Sequence, residues 1–253
     1  MNPPMTIDPS PLAGRIALVT GASRGIGYAS ALALAKAGAH VIATARTQGG
    51  LEELDDEIFK ATGEHATLAP FDLVDGGAID RLGGAIFERW GKLDILVHAG
   101  AMLGPLTPMS HLEPREFDKV LAINLKAPYR MIRSYEPLLV RSDAARAIFF
   151  TSGVSGGRAF WGPYATTKAG LEAMIRSWAD EMETSSIRPT LVNPGKMRTK
   201  MRQDAYPGED RDTLPDPAEI GPLIVELANP DLTPPLEVSF SAWKSGPSVA
   251  ALV

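Results

Sequence analysis

Short apolar runs alternate with longer helical stretches along most of this chain. That rhythm constrains the fold more than any single residue. The runs are Arg15–Thr20 (RIALVT), His40–Ala45 (HVIATA), His65–Phe71, Leu93–His98 (LDILVH), Ala147–Ser152 (AIFFTS) and Ile187–Val192. They are short and nearly continuous in apolar character, as strands covered on both faces are. Between them, residues 25–37, Leu51–Thr62, 76–90, 112–140 and 164–183 have helical patterns. Gly38 and Gly63 end the first two, and Pro128 and Pro137 mark kinks in the fourth. A last strand is expected at Leu236–Phe240. Strands joined by helices of this length are βαβ units, which build a parallel sheet with helices on both faces. The expected class is therefore α/β and doubly wound. No linker divides the series, so residues 14–253 form one domain. A flexible leader, residues 1–13, precedes it and carries Pro3, Pro4, Pro9 and Pro11. It has neither the basic start nor the apolar run of a signal peptide. Residues 196–216 break the rhythm, being rich in Met, Arg, Asp and Pro, and read as a mobile insertion.

Composition removes several function classes. The chain has no cysteine, which excludes a disulfide framework, a thiolate metal site and a cysteine nucleophile, and suits a reducing compartment such as the cytoplasm. His40, His65, His98 and His111 show no ligand spacing, so no metal is expected. A formal net charge of −5 argues against nucleic acid as a partner. The apolar stretches fall short of the roughly 18 residues a membrane span needs.

The first run ends in Thr20-Gly21-Ala22-Ser23-Arg24-Gly25-Ile26-Gly27, and a helix follows at once. Glycines there let the backbone turn tightly and approach a phosphate, while the helix N-terminus favours negative charge. A strand before and a helix after make this a dinucleotide site rather than a plain turn. An NAD site usually carries an acid at the end of the second strand, bonding the ribose 2′-hydroxyl. Here that position reads Thr44-Ala45-Arg46-Thr47, without an acid. Arg46 and Arg24 suit a 2′-phosphate, so NADP(H) is preferred over NAD(H).

Tyr164 and Lys168 lie four apart at the start of the longest helix, on one face. A neighbouring ammonium should lower the phenol's pKa toward working pH and make Tyr164 a general acid or base. Such a pair alone means little. Here it stands in order behind the glycine turn, Asp72-Leu73, Ala99-Gly100, Asn124 and Ser152, and ahead of Asn193-Pro194-Gly195 and Thr199.

Taken together, residues 14–199 resemble the short-chain dehydrogenase/reductase family, with the 3-oxoacyl-acyl-carrier-protein reductases its nearest branch. The resemblance implies a single Rossmann-like domain of about seven parallel strands. It implies hydride transfer between NAD(P) and a carbonyl or alcohol, with Tyr164 moving the proton. Lys168 would lower the tyrosine pKa and bond the nicotinamide ribose. Ser152 would orient the carbonyl, and Asn124 would hold a water relay behind Lys168. Gly21, Ser23, Arg24, Gly25, Ile26, Gly27, Arg46, Ala99 and Gly100 would line the cofactor site. Asp72 and Leu73 would flank the adenine, and Pro194, Gly195 and Thr199 would meet the nicotinamide end. A homodimer or homotetramer is implied, as is a substrate lid near 196–216.

Three departures stand out. His98 replaces a polar residue of the family pattern and is read as structural. Thr151, Ser152 and Ser155 all compete as the active hydroxyl, with Ser152 preferred. The C-terminus lacks the family's usual ending. The stripe Leu171, Met174, Ile175, Trp178 and Met182 reads as core or packing. Lys196, Arg198, Lys200 and Arg202 read either as a solvated face or as a dock for an acidic substrate or carrier. Phe160, Trp161, Met102, Leu103, Met197, Met201 and Tyr206 are candidates for an apolar substrate pocket. The leading expectation is an NADP(H)-dependent carbonyl reductase acting on a small molecule. A silent dinucleotide-binding regulator of the same fold is the alternative.

Overall fold

The protein is described by a computed structural model over residues 10–246 together with 248 and 249. Seven strands form one sheet, all pairs parallel: β1 (Ile16–Thr20), β2 (His40–Thr44), β3 (Thr67–Leu68), β4 (Ile95–His98), β5 (Arg146–Phe150), β6 (Arg188–Asn193) and β7 (Glu237–Ser239). Their spatial order is β3-β2-β1-β4-β5-β6-β7. The chain winds outward from β1 to β3, then crosses back to β4. The crevice lies where that direction reverses, at the carboxyl ends of β1 and β4, the usual ligand position in such sheets.

The helices are α1 (Gly25–Lys36), α2 (Gln48–Thr62), α3 (Gly76–Trp90), α4 (Pro114–Leu121), α5 (Ala127–Leu139), α6 (Gly162–Glu181), α7 (Lys200–Ala205), α8 (Gly221–Ala228) and α9 (Phe240–Ser245). Alternate strand residues feed two cores. Ala17, Val19, Ile95, Val97, Ile148 and Phe150 pack with α1, α2 and α8. Leu18, Leu96, Ala147 and Phe149 pack with α3, α5 and α6. Both strand faces are buried, which explains the unbroken apolar runs. Each of the larger side chains, Val, Leu, Ile or Phe, contributes about 1.5–3 kcal/mol by leaving water. Leu171, Ile175 and Trp178 are buried in the second core, with Met174 and Met182 packed against it. The stripe is core.

Several boundaries differ from the sequence reading. β3 spans two residues rather than His65–Phe71, because it pairs only with β2 at the sheet edge. β5 ends at Phe150, so Thr151 and Ser152 stand just beyond the strand. The irregularity expected at the prolines of residues 112–140 is a π-turn over Ala122–Lys126, with Pro128 in the first turn of α5. Helix α8, which opens on Gly221-Pro222, was not among the expected elements. Proline is tolerated there because a helix's first N–H groups lack intrahelical partners anyway. Of the leader, Met1–Pro9 lie outside the described residues. Leu12 is fully buried, and its N–H donates to the Ala37 carbonyl at 2.9 Å, so residues 10–13 are docked rather than loose.

Candidate active site

A cleft of ≈ 1670 Å³ opens over the carboxyl ends of the strands. Its first wall is the turn from β1 to α1. Gly21 (φ +67°) and Gly25 (φ +59°) take left-handed backbone that only glycine adopts cheaply. A Cβ on Gly21 would stand 2.8 Å from the Gly100 backbone, and one on Gly27 2.3 Å from the Gly21 carbonyl oxygen. Arg24 is extended at the start of α1 and makes no side-chain cap, and the first turn carries no acid. The opening N–H groups of α1 therefore face the cleft without a capping side chain, whereas Asp75 caps α3 and Thr199 caps α7. This cradle fits an anionic group such as a pyrophosphate.

Ser23, Arg24, Ile26, Arg46, Asp72, Leu73, Ala99, Gly100, Tyr164, Lys168, Pro194 and Thr199 all line the same cleft. Arg46 and Asp72 face each other at 3.9 Å, both well exposed. Thr151 lines the cleft as well, whereas Ser152, Asn124 and Gly195 do not. Gly195 makes the turn after β6 at φ +68°, donating its N–H to Asn193 Oδ1 at 3.0 Å. Under the cradle, the Thr20 hydroxyl accepts the Gly100 N–H at 3.1 Å and shares a 2.9 Å hydrogen bond with His98 Nδ1. Burial, with Lys168 nearby, pushes the His98 imidazole down to about 3, so it is neutral and ties β1 to β4.

Tyr164 and Lys168 are both buried on α6. Lys168 Nζ sits 5.6 Å from the Tyr164 ring centroid and donates to the Phe150 carbonyl at 2.7 Å. Burial lowers its pKa to about 8, opposed by Glu172. The tyrosine differs from the expectation drawn from spacing. Its pKa is pushed up to about 12, because burial outweighs everything else and the ammonium is aimed at a carbonyl rather than at the phenol. Ser152 is the group that opposes this rise, its hydroxyl lying beside the phenol.

The competing hydroxyls are engaged elsewhere. Thr151 Oγ1 donates to Glu172 Oε1, and the Ser155 hydroxyl stabilises the same carboxylate. Asn124, in the π-turn, is almost fully buried. Its Oδ1 accepts the Met102 N–H at 2.9 Å, and its Nδ2 donates to the Met102 carbonyl at 2.8 Å and to Thr167 Oγ1 at 3.2 Å. The side chain is thus a clamp between the loop after β4 and α6, and not itself a water ligand.

Residues 15–210 match the family described as short chain dehydrogenase. The chain belongs to the short-chain dehydrogenase/reductase family. It is an oxidoreductase of that family. An uncharacterized oxidoreductase of Escherichia coli K12, YciK, is 36% identical over 231 residues, covering 90% of this chain and 91% of its own. A 3-oxoacyl-[acyl-carrier-protein] reductase of Vibrio harveyi is 32% identical over 87% of this chain and 92% of its own. A short chain dehydrogenase from Shigella flexneri, solved in complex with NADP, superposes with a TM-score of 0.86 at 36% identity, covering 89% of this chain and 95% of its own. No helix among the described residues is long and apolar enough to cross a membrane.

The substrate side of this short-chain dehydrogenase sharpens one sequence reading and corrects another. Three of the four residues of the basic run pair within their own segment, as a solvated face would. Arg198 pairs with Asp216 at 2.6 Å, Lys200 with Asp204, and Arg202 with Glu209 at 2.5 Å. It offers little net charge to an acidic carrier. Among the candidate pocket residues, Met102, Leu103 and Met201 line the cleft, but Met197 is buried in the first core. Phe160 is exposed. Trp161 stacks on Tyr206 at 5.8 Å between centroids, and Arg158 Nη1 donates to the Tyr206 hydroxyl at 2.6 Å. These rings join the loop after β5 to α7. Sequence reading missed Thr20, Thr167 and Glu172 as parts of the site. Glu172 carried a signal, lying one turn beyond Lys168 on the same helix face.

Proposed function

We propose that the protein is an NADP(H)-dependent carbonyl reductase, or alcohol dehydrogenase in reverse, in which Tyr164 exchanges the proton with the substrate oxygen. One observation carries this reading: a buried phenol and a buried ammonium stand beside an open glycine cradle, with the Ser152 hydroxyl next to the phenol. The NADP in the Shigella flexneri relative supports the choice of cofactor. The backbone from Gly21 to Gly27 would hold the pyrophosphate, and Arg24 and Arg46 the 2′-phosphate. Asp72 and Leu73 would flank the adenine, with Ala99 and Gly100 as floor and Pro194, Gly195 and Thr199 at the nicotinamide end. When bound, the dinucleotide supplies or accepts the hydride.

The protein's own groups do the proton work. Ser152 donates to the carbonyl oxygen and orients it. Tyr164, held protonated by burial at neutral pH, gives its phenolic proton as charge builds on that oxygen. The Lys168 ammonium would turn from the Phe150 carbonyl toward the phenolate left behind and stabilise it. Asn124 would take part in the water relay behind Lys168 only through its backbone, since its side chain is spent on Met102 and Thr167. Residues 196–216, latched through Tyr206 and Arg158, act as the lid over a small, largely uncharged carbonyl substrate.

The test is NADPH fluorescence on titration, followed by NADPH loss against a panel of aldehydes, ketones and β-ketoacyl thioesters. Saturable binding with turnover of at least one class is expected. Binding without turnover of any class would favour a silent dinucleotide-binding protein, and no binding would remove both readings.

A further inference from the structure

We infer that Glu172 is a positioning residue that fixes the loop after β5 so that Ser152, of three neighbouring hydroxyls, faces Tyr164. The inference rests on the proposed roles of Ser152 and Tyr164. Its geometric basis is the carboxylate itself. Glu172 lies on α6, and its side chain is 16% exposed. Oε1 receives the Thr151 hydroxyl, and the Ser155 hydroxyl stabilises the same group. Oε2 takes Arg176 Nη2 at 3.3 Å, and Arg176 Nε is anchored on Glu237 of β7 at 2.7 Å.

Thr151 and Ser155 bracket Ser152. The backbone holds the same segment from below, with the Thr151 N–H on the Val192 carbonyl at 2.9 Å and the Ser155 N–H on the Ser152 carbonyl at 3.1 Å. Hydrogen bonds to an ionised carboxylate are shorter and stronger than neutral ones. The carboxylate therefore holds the Thr151 hydroxyl directly and draws on Ser155, which leaves the Ser152 hydroxyl, taking the Val154 N–H at 3.5 Å, to face Tyr164. Without it, Thr151 and Ser155 are free to compete for the place beside the phenol. Glu172 never touches the reacting atoms in this account.

The test is a double-mutant cycle on the full-length protein, using NADPH and 4-nitrobenzaldehyde as the probe carbonyl. Ser152→Ala should lower kcat by roughly 10²–10³-fold, the effect of removing one donor to a developing oxyanion. Glu172→Ala should lower kcat by about tenfold or more, with NADPH affinity within about twofold of the parent. Made in the Ser152→Ala background, Glu172→Ala should change kcat by less than about twofold, since a residue acting through Ser152 has nothing left to position. Glu172→Gln, which keeps one acceptor for Thr151, should recover part of the loss, and serves in the cycle if the alanine variant melts early. An equal loss in both backgrounds would overturn the inference and leave the role of Ser152 standing. Unchanged kcat in Ser152→Ala would remove the role of Ser152 first, and this inference with it. A crystal structure of Glu172→Ala decides the point without any substrate. Ser152 turned away from Tyr164 supports the inference, and an unmoved loop overturns it.

Discussion

The two walls of the cleft are built from different material. On the β1–α1 side the shape is backbone. Gly21 and Gly27 sit where any Cβ would strike a main-chain atom within 3 Å, and Gly100 sits where one would meet Leu73 at 2.4 Å. On the β5–α6–α7 side the shape is side chain on side chain: Thr151 on Glu172, Arg158 on Tyr206, Arg198 on Asp216. A backbone wall is set by residue identity at fixed spacing. A side-chain wall is set by which partners meet in space, and equivalent partners can exchange. The first kind suits a ligand that is always the same, and the second suits one that varies between relatives of a fold.

The contrast breaks most visibly at Gly21. Gly21→Val forces a branched side chain into left-handed backbone against Gly100, and NADPH affinity should fall by roughly a hundredfold or more. Retained affinity in a fluorescence titration would mean the backbone wall does not hold the cofactor. Next is Arg46→Ala, which should cut the preference for NADPH over NADH by roughly tenfold, the value of one charge-assisted contact. Equal losses for both cofactors would deny Arg46 the 2′-phosphate.

Lys168 sharpens the comparison through stability. Its pKa is about 8, against 10.5 for a free lysine. Between those values the unfolded chain binds more protons, so this group makes stability rise with pH, and below about 8 it costs stability. Tyr164 acts in the opposite sense above about 10, where the unfolded chain releases its proton first. Lys168→Met should therefore stabilise the cofactor-free protein at pH 7 by on the order of 1 kcal/mol, the gain being offset in part by the orphaned Phe150 carbonyl. Its stability should also be flatter between pH 7 and about 9.5. Denaturant melts across that range check both points, and a destabilised variant at pH 7 would contradict them. Smallest of all, Lys200→Ala should change kcat/KM for a β-ketoacyl thioester by less than about twofold, because Asp204 already neutralises that lysine.

The same division decides what could be read before folding. The succession of strands and helices, the glycine turn and the Tyr164–Lys168 face follow from local periodicity and spacing, which survive in one dimension. The two-residue β3 did not, because its length depends on having a neighbour on one side only. Nor could spacing separate Thr151, Ser152 and Ser155, which differ only in what Glu172 reaches. The basic run left a solvated face and an acidic dock both open, because its partners Asp204, Glu209 and Asp216 are ordinary acids in the same loop until the chain turns back on itself. The expected fall in the Tyr164 pKa failed for a similar reason. Spacing placed the ammonium one turn away, but burial and the direction of Nζ toward Phe150 set its effect.

Tyr164→Phe tests the account most directly, because it removes one oxygen and leaves the aromatic contact with Trp161 in place. Turnover of any carbonyl the parent reduces should fall by roughly 10²–10⁴-fold, with NADPH affinity within about threefold of the parent. Turnover that survives this change undiminished would contradict the assignment of Tyr164 as the proton donor.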